Sequence, residues 1–174
     1  MAGTWTTSNS AYGSFWKPVP LQLAVISQPP ADREAGRASL RALLARAGVR
    51  ERQVEGDGNC QFRALADQLY GSQEHHLELR AQVVAQLRKD PGRFKGFVPG
   101  SFEDYVADMA LPGTWGDHVT LQAAADAFGV QIHVFTDHLL KGGALIEVQP
   151  REQRSAKVLQ VTFWAEVHYN SVAG

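Results

Sequence analysis

The sequence predicts an α+β fold in which a small central β-sheet is flanked by helices on both sides. Two observations carry this. Apolar residues recur at helical spacing through the first two-thirds of the chain, and a period-two alternation replaces that pattern in the last third. The two patterns are segregated rather than interleaved, which argues against a regularly alternating βαβ fold.

The elements follow in order. Leu40, Leu43, Leu44 and Ala47 form a stripe that predicts a helix over Arg33–Ala47, stopped by Gly48. Residues 56–60 read as a turn. Phe62, Leu65, Ala66 and Leu69 share a face of the next helix, Cys60–Tyr70, which Gly71 ends. A third helix starts at Ser72, carries Leu77, Val83, Val84 and Leu87, and breaks at Asp90-Pro91-Gly92. Ser101 reads as the N-cap of a shorter helix reaching Leu111, and Asp117 as the N-cap of one over 118–128. Strands are expected at 130–136, 144–150, 157–164 and 166–172, with a turn at Lys141-Gly142-Gly143. Residues 1–35 read as an irregular arm, rich in Ser, Thr, Gly and Pro but carrying Trp5, Phe15 and Trp16, and 36–174 as one domain.

Composition narrows the function. Of 174 residues, 44% are apolar and 20% charged, ordinary for a globular protein. Seventeen Lys and Arg against 18 Asp and Glu leave a formal charge of −1, so the basic excess of a nucleic-acid binder is missing. No apolar run has the length of a membrane span, and residues 1–16 lack a signal-peptide pattern. A single cysteine permits no internal disulfide, which points to a reducing, intracellular and cytoplasmic address. The same chain from a microbe living in a eukaryotic host would read as a delivered effector. A monomer is expected. Neither a metal nor another cofactor is: the six histidines show no close-spaced ligand set.

That cysteine lies in 56-GDGNCQFRAL-65, at the mouth of a helix. A nucleophilic cysteine must reach its thiolate, which the positive end of a helix dipole favours. Unpaired N–H groups at the helix start, with Gly58 letting the backbone turn tightly, suit a developing oxyanion. The plain alternative is a small buried hydrophobe. Of the histidines, His168 in 163-FWAEVHYNSV-172 stands apart, because Asn170 follows two positions later on the same strand face. His75 and His76 read as surface, and His133 as a strand residue.

The stretches 56-GDGNCQFRAL-65 and 164-WAEVHYNSV-172, with 114-TWGDHVTLQAAADAFGVQIHVF-135 between them, resemble the signatures of the ovarian tumour (OTU) family of cysteine deubiquitinases, nearest to its compact plant-like members. The resemblance covers about residues 38–173. It implies a papain-like OTU fold and a thiol isopeptidase acting on ubiquitin, polyubiquitin or a ubiquitin-like modifier. It implies Cys60 as nucleophile, His168 as general base and Asn170 as the residue that orients the imidazole. Asp57 matches a residue often counted as catalytic; a role holding the loop is the more physical one. The N–H groups of Asp57, Gly58 and Cys60 would form the oxyanion hole, with Asn59 supporting the turn. Asn59, Trp115, Gly116, Trp164, Glu166 and Tyr169 would contact substrate, Trp164 and Tyr169 walling a channel for Gly-Gly and Glu166 meeting an Arg. Phe94 and Phe97 would touch the body of the modifier. Because Asn170 is neutral, the family pattern implies weaker support for an imidazolium than an Asp supplies. Two other readings stay open at this point: a catalytically silent ubiquitin-binding module, and a cysteine hydrolase of a different amide.

Overall fold

The computed structural model describes residues 30–137, 144–164 and 168–174. Residues 1–29, the turn at 141–143 and Glu166 lie outside them. Six helices and five strands follow in chain order: α1 (Pro30–Ala47), β1 (Arg50–Arg52), α2 (Cys60–Tyr70), α3 (His76–Lys89), α4 (Pro91–Phe94), α5 (Phe102–Met109), α6 (His118–Phe128), β2 (Gln131–Thr136), β3 (Ala144–Val148), β4 (Val158–Trp164) and β5 (His168–Ala173).

The strands form one sheet in the order β1-β5-β4-β2-β3. β2 and β4 run parallel; every other pairing is antiparallel. Because strand side chains alternate, the sheet feeds two cores, one on each face. Ile132, Val134, Leu159, Val161 and Tyr169 pack with α2, α3 and α6. Phe135 and Val172 pack on the opposite face against Leu40 and Leu44 of α1. Burying those two leucines is worth about 2 kcal/mol each, enough to hold a single helix on its face. The three-layer expectation is therefore met, with α1 alone as one outer layer.

α1 begins at Pro30, three residues before the expected start, since a proline ring is compatible with a first helical turn. β1 was not expected at all. Its Arg-Glu-Arg carries no apolar alternation, yet it pairs with Ser171–Ala173 as an edge strand, where charges are tolerated. The helix expected from Ser72 opens instead as a 3₁₀ turn over Gln73–His75, and the Ser72 hydroxyl accepts from the Glu74 N–H. That turn puts the Nδ1 of His76 3.0 Å from the Gln73 carbonyl and buries the ring, correcting the surface reading of that histidine. Phe94 also turns inward and is buried, whereas Phe97 is exposed, so the two do not form one contact surface.

Arg80 of α3 is the largest side chain buried almost completely, at 2% exposure. Its guanidinium donates to the Met109 carbonyl (2.9 Å), the Thr114 carbonyl (2.8 Å) and the Asn59 side-chain oxygen (2.8 Å). It also lies over the Phe62 ring, 3.8 Å from its centroid, a cation–π contact. Burial lowers its pKa to about 10, so it stays cationic at neutral pH. Replacing Arg80 with Met removes the cation and its hydrogen bonds to the Met109 and Thr114 carbonyls, while the Asn59 oxygen keeps only the Gly113 N–H. Urea denaturation should show a loss of about 3 kcal/mol; a loss below about 1 kcal/mol would show that the three loops hold without it.

Candidate active site

Cys60 is the first residue of α2, and Asn59 is its N-cap residue. The cap is unusual in that the Asn59 side chain does not bond the helix N–H groups. It faces away, accepting from Arg80 and from the Gly113 N–H (2.8 Å) and donating to the Asp57 carboxylate (2.9 Å). Asp57 in turn accepts from the Asn59 N–H (3.0 Å) and from Arg63 (2.8 and 3.1 Å). The Arg63 hydrogen bond, more than the Asn59 bonds and against partial burial, holds the Asp57 carboxyl well below the usual carboxylate range.

Gly58 adopts φ +82, and a β-carbon there would sit 2.2 Å from the Gly113 carbonyl oxygen. The residue must therefore be glycine on both conformational and steric grounds. The Asn59 N–H is occupied by Asp57, while those of Asp57 and Gly58 donate to no acceptor among the described residues. Burial pushes the Cys60 thiol pKa up; the backbone N–H groups of Tyr169, Gln61 and Cys60 itself pull the other way, and the Asp57 charge adds to the rise. An apolar setting alone would leave this sulfur a resting thiol, so a nearby base matters.

β5 brings that base. His168 and Asn170 share the α1-facing side of the strand, and Tyr169 points into the other core. The His168 Nε2 lies 3.2 Å from the Val54 carbonyl. A carbonyl only accepts, so Nε2 carries the proton in the neutral ring and Nδ1 keeps the lone pair. Asn170 does not bond His168. Its Oδ1 accepts from the Val54 N–H (3.2 Å), so the two side chains meet the N–H and the carbonyl of the same residue, Val54. The orienting contact is thus indirect. No hydrogen bond joins Cys60 to His168 among the described residues, though both line one cleft of about 360 Å³, together with Gly56, Gly58, Trp115 and Trp164.

The remaining expected residues divide. Trp115 is 44% exposed at the cleft rim, and its loop is anchored to α2: the Gln61 side chain donates to the Asp117 carbonyl (3.0 Å) and accepts from Thr120 (2.7 Å). A β-carbon at Gly116 would collide with Gln61, so that glycine seats the loop. Asp117 caps α6 in a full capping box with Thr120. Trp164 lines the cleft beneath the Arg37 guanidinium, 5.0 Å from its ring. Two expectations are corrected. Tyr169 is buried and stacked on Phe163 with centroids 4.5 Å apart, so it walls no channel. Asn59 is 5% exposed and spends its amide on the turn, not on a ligand. Sequence reasoning missed Arg37, Glu51, Val54, Arg63 and Arg80; apart from a charged residue within an apolar helix stripe, the chain gives no local sign of them.

Two outcomes follow from this turn. Gly58→Ala should lower stability by about 2 kcal/mol or more and slow alkylation of Cys60 by iodoacetamide; an unchanged alkylation rate would mean the turn tolerates a β-carbon. A carboxyl with a depressed folded pKa stabilises the fold above its unfolded value, about 3.9, and that contribution fades as pH falls below it. Asp57→Asn should therefore narrow the stability gap between pH 7 and pH 3 in urea titrations. An equal gap in both proteins would dismiss the Arg63–Asp57 pair as a source of acid sensitivity.

Comparison with known proteins agrees with this geometry. Residues 55–170 match the family described as OTU-like cysteine protease. The chain is 46% identical over 157 residues to OVARIAN TUMOR DOMAIN-containing deubiquitinating enzyme 10 of Arabidopsis thaliana, covering 89% of this chain and 44% of that protein. It is 52% identical over 125 residues to enzyme 9 of the same series and organism, covering 72% of this chain and 36% of that protein. The chain thus spans less than half the length of these two relatives. The fold superposes on the OTUD1 OTU domain with a TM-score of 0.71 at 22% identity, over 83% of this chain and 98% of that one. It also superposes on an ovarian tumor domain solved in complex with ubiquitin, with a TM-score of 0.58 at 18% identity, over 72% of this chain and 69% of that one. On the match across residues 55–170 and the identity to these relatives, the chain belongs to the OTU-like cysteine protease family.

Proposed function

We propose that the chain is a deubiquitinating thiol isopeptidase. The observation that carries this is the pairing in one cleft of Cys60, at a helix start with the unclaimed N–H groups of Asp57 and Gly58 beside it, and His168, whose Nε2 is taken by a carbonyl. The His168 Nδ1 takes the Cys60 proton as Sγ attacks the carbonyl carbon of a C-terminal glycine. The carbonyl oxygen becomes an oxyanion, received by the N–H groups of Asp57, Gly58 and Cys60. The imidazolium returns the proton to the departing lysine amine, leaving a thioester on Cys60. Water, deprotonated by His168, then attacks the thioester, releasing a carboxylate and the thiol. Asp57 acts on the turn rather than on substrate, since Arg63 and Asn59 occupy its carboxylate.

Gly56 and Gly58 leave the cleft wall without side chains, which suits a Gly-Gly tail, and Trp115 and Trp164 supply its aromatic sides. The relatives' names and the ubiquitin-bound neighbour support ubiquitin over other amides. Action on ubiquitin and the lone thiol support an intracellular, reducing site of work. Among the described residues, no helix is long and apolar enough to cross a membrane. The buried thiol and its missing bond to His168 favour one rival, a silent ubiquitin-binding module.

Ubiquitin carrying a thiol-reactive C-terminal group decides between them by intact mass. The wild type should form one adduct, Cys60→Ala none, and His168→Ala should react about a thousandfold more slowly. Binding without an adduct would establish the silent module; neither would remove ubiquitin as the substrate.

A further inference from the structure

The family pattern allows Asp or Asn where this chain has Asn170, and the choice has a structural explanation. Behind Asn170 lies a carboxylate from β1. The Asn170 Nδ2 donates to the Oε1 of Glu51 at 3.3 Å. Thr162 of β4, opposite Asn170 in the strand register, donates to the same oxygen at 2.8 Å. Arg37 of α1 holds the carboxylate from the other side, with Nη1 on Oε1 at 3.2 Å and Nη2 on Oε2 at 3.1 Å. The Glu51 side chain is 16% exposed, and Arg37 19%. The amide orientation of Asn170 is not a free choice. Val54 N–H only donates and the Glu51 carboxylate only accepts, so Oδ1 must face Val54 and Nδ2 must face Glu51.

We propose that Glu51 is the charged positioning residue of the active site, and that Asn170 is an amide because it relays between Glu51 and the backbone of Val54, whose N–H it accepts from and whose carbonyl meets His168. The inference rests on the reading that Cys60 and His168 react as a pair. The relay runs Arg37–Glu51–Asn170–Val54–His168, and three of its members, Arg37, Glu51 and Val54, lie ahead of residues 55–170, the stretch matched to the family. A carboxylate at position 170 would set two anions about 3.3 Å apart in a partly buried site, a strongly unfavourable arrangement. α1 and β1 are therefore part of the machinery, since they fix the anion on which the amide is aligned. The negative charge that a family member with Asp carries on the strand is carried here one residue further back.

A double-mutant cycle tests this on the whole chain, with kcat and KM for a ubiquitin C-terminal fluorogenic amide, the iodoacetamide rate of Cys60, and Tm for each variant. Glu51→Gln should lower kcat about tenfold with KM within about twofold, and Asn170→Asp at least as much. The combined Glu51→Gln, Asn170→Asp variant should recover to within about threefold of the wild type, because one anion and one amide are again paired. Losses that multiply in the double variant, or a Glu51→Gln enzyme with wild-type kcat, would overturn the proposal. A fall in Tm matched by no change in kcat would equally assign Glu51 to folding alone. If the wild type fails to turn over ubiquitin, the substrate reading fails separately, and the same cycle read on Cys60 alkylation still supports or refutes the relay.

Discussion

The Arg80 guanidinium is the contact on which the site depends. It lies deep between α2, α3 and the segment from Met109 to Thr114, and donates to the Met109 and Thr114 carbonyls and the Asn59 side-chain oxygen. Placing a cation there costs several kcal/mol of hydration. Three hydrogen bonds and the face of Phe62 offset the cost. The arrangement is stable only when all three segments are in place, so it couples the turn ahead of Cys60 to the loop that carries Gly113. Asn59 extends the coupling to Asp57, and Asp57 to Arg63. Two buried or half-buried cations thus bracket one amide and one carboxylate, and the backbone between them is left no freedom. The N–H groups beside Cys60 point where that network leaves them.

The second constraint is the pleat of β5. Alternation sends Tyr169 into the large core with α2, α3 and α6, and sends His168, Asn170 and Val172 toward α1. The cleft opens where these two layers meet. Cys60 approaches it from the helix on one side of the sheet and His168 from the opposite face. Each half of the site therefore has its own core behind it, and the Val54 segment, wedged between β1 and the turn, is the bridge. The backbone of one residue of that segment, Val54, meets both His168 and Asn170.

Cysteine chemistry sits under competing influences. Burial favours the thiol, and the nearby Asp57 charge reinforces it; the helix start and the N–H groups around the sulfur favour the thiolate. Burial is the largest of these. The same burial strengthens any hydrogen bond made to an oxyanion, because water is kept out. Such a setting favours the thiol over the thiolate until a base is near.

Much of this was legible in the chain. The Gly-Asp-Gly-Asn turn before Cys60, the capping role of Asp117 and the shared face of His168 and Asn170 are local, because turns, caps and strand pleats are decided by neighbouring residues. The two-layer helix pattern and the strand-rich last third were equally local. The misreadings share a cause. Tyr169 was placed on the cleft by its adjacency to His168, although adjacent strand residues face opposite ways. β1 escaped notice because its pairing with β5, more than a hundred residues away, and not its own Arg-Glu-Arg, makes it a strand. Arg80, Glu51 and Arg37 carry no local mark in the chain. Nothing local distinguishes a buried cation from a solvated one, since the carbonyls and carboxylates that compensate it arrive from distant segments. The amino-acid order therefore determined the reactive residues and the elements that present them. Assembly of the layers determined which charges hold those residues still, because desolvated ion and amide networks exist only where several distant segments converge.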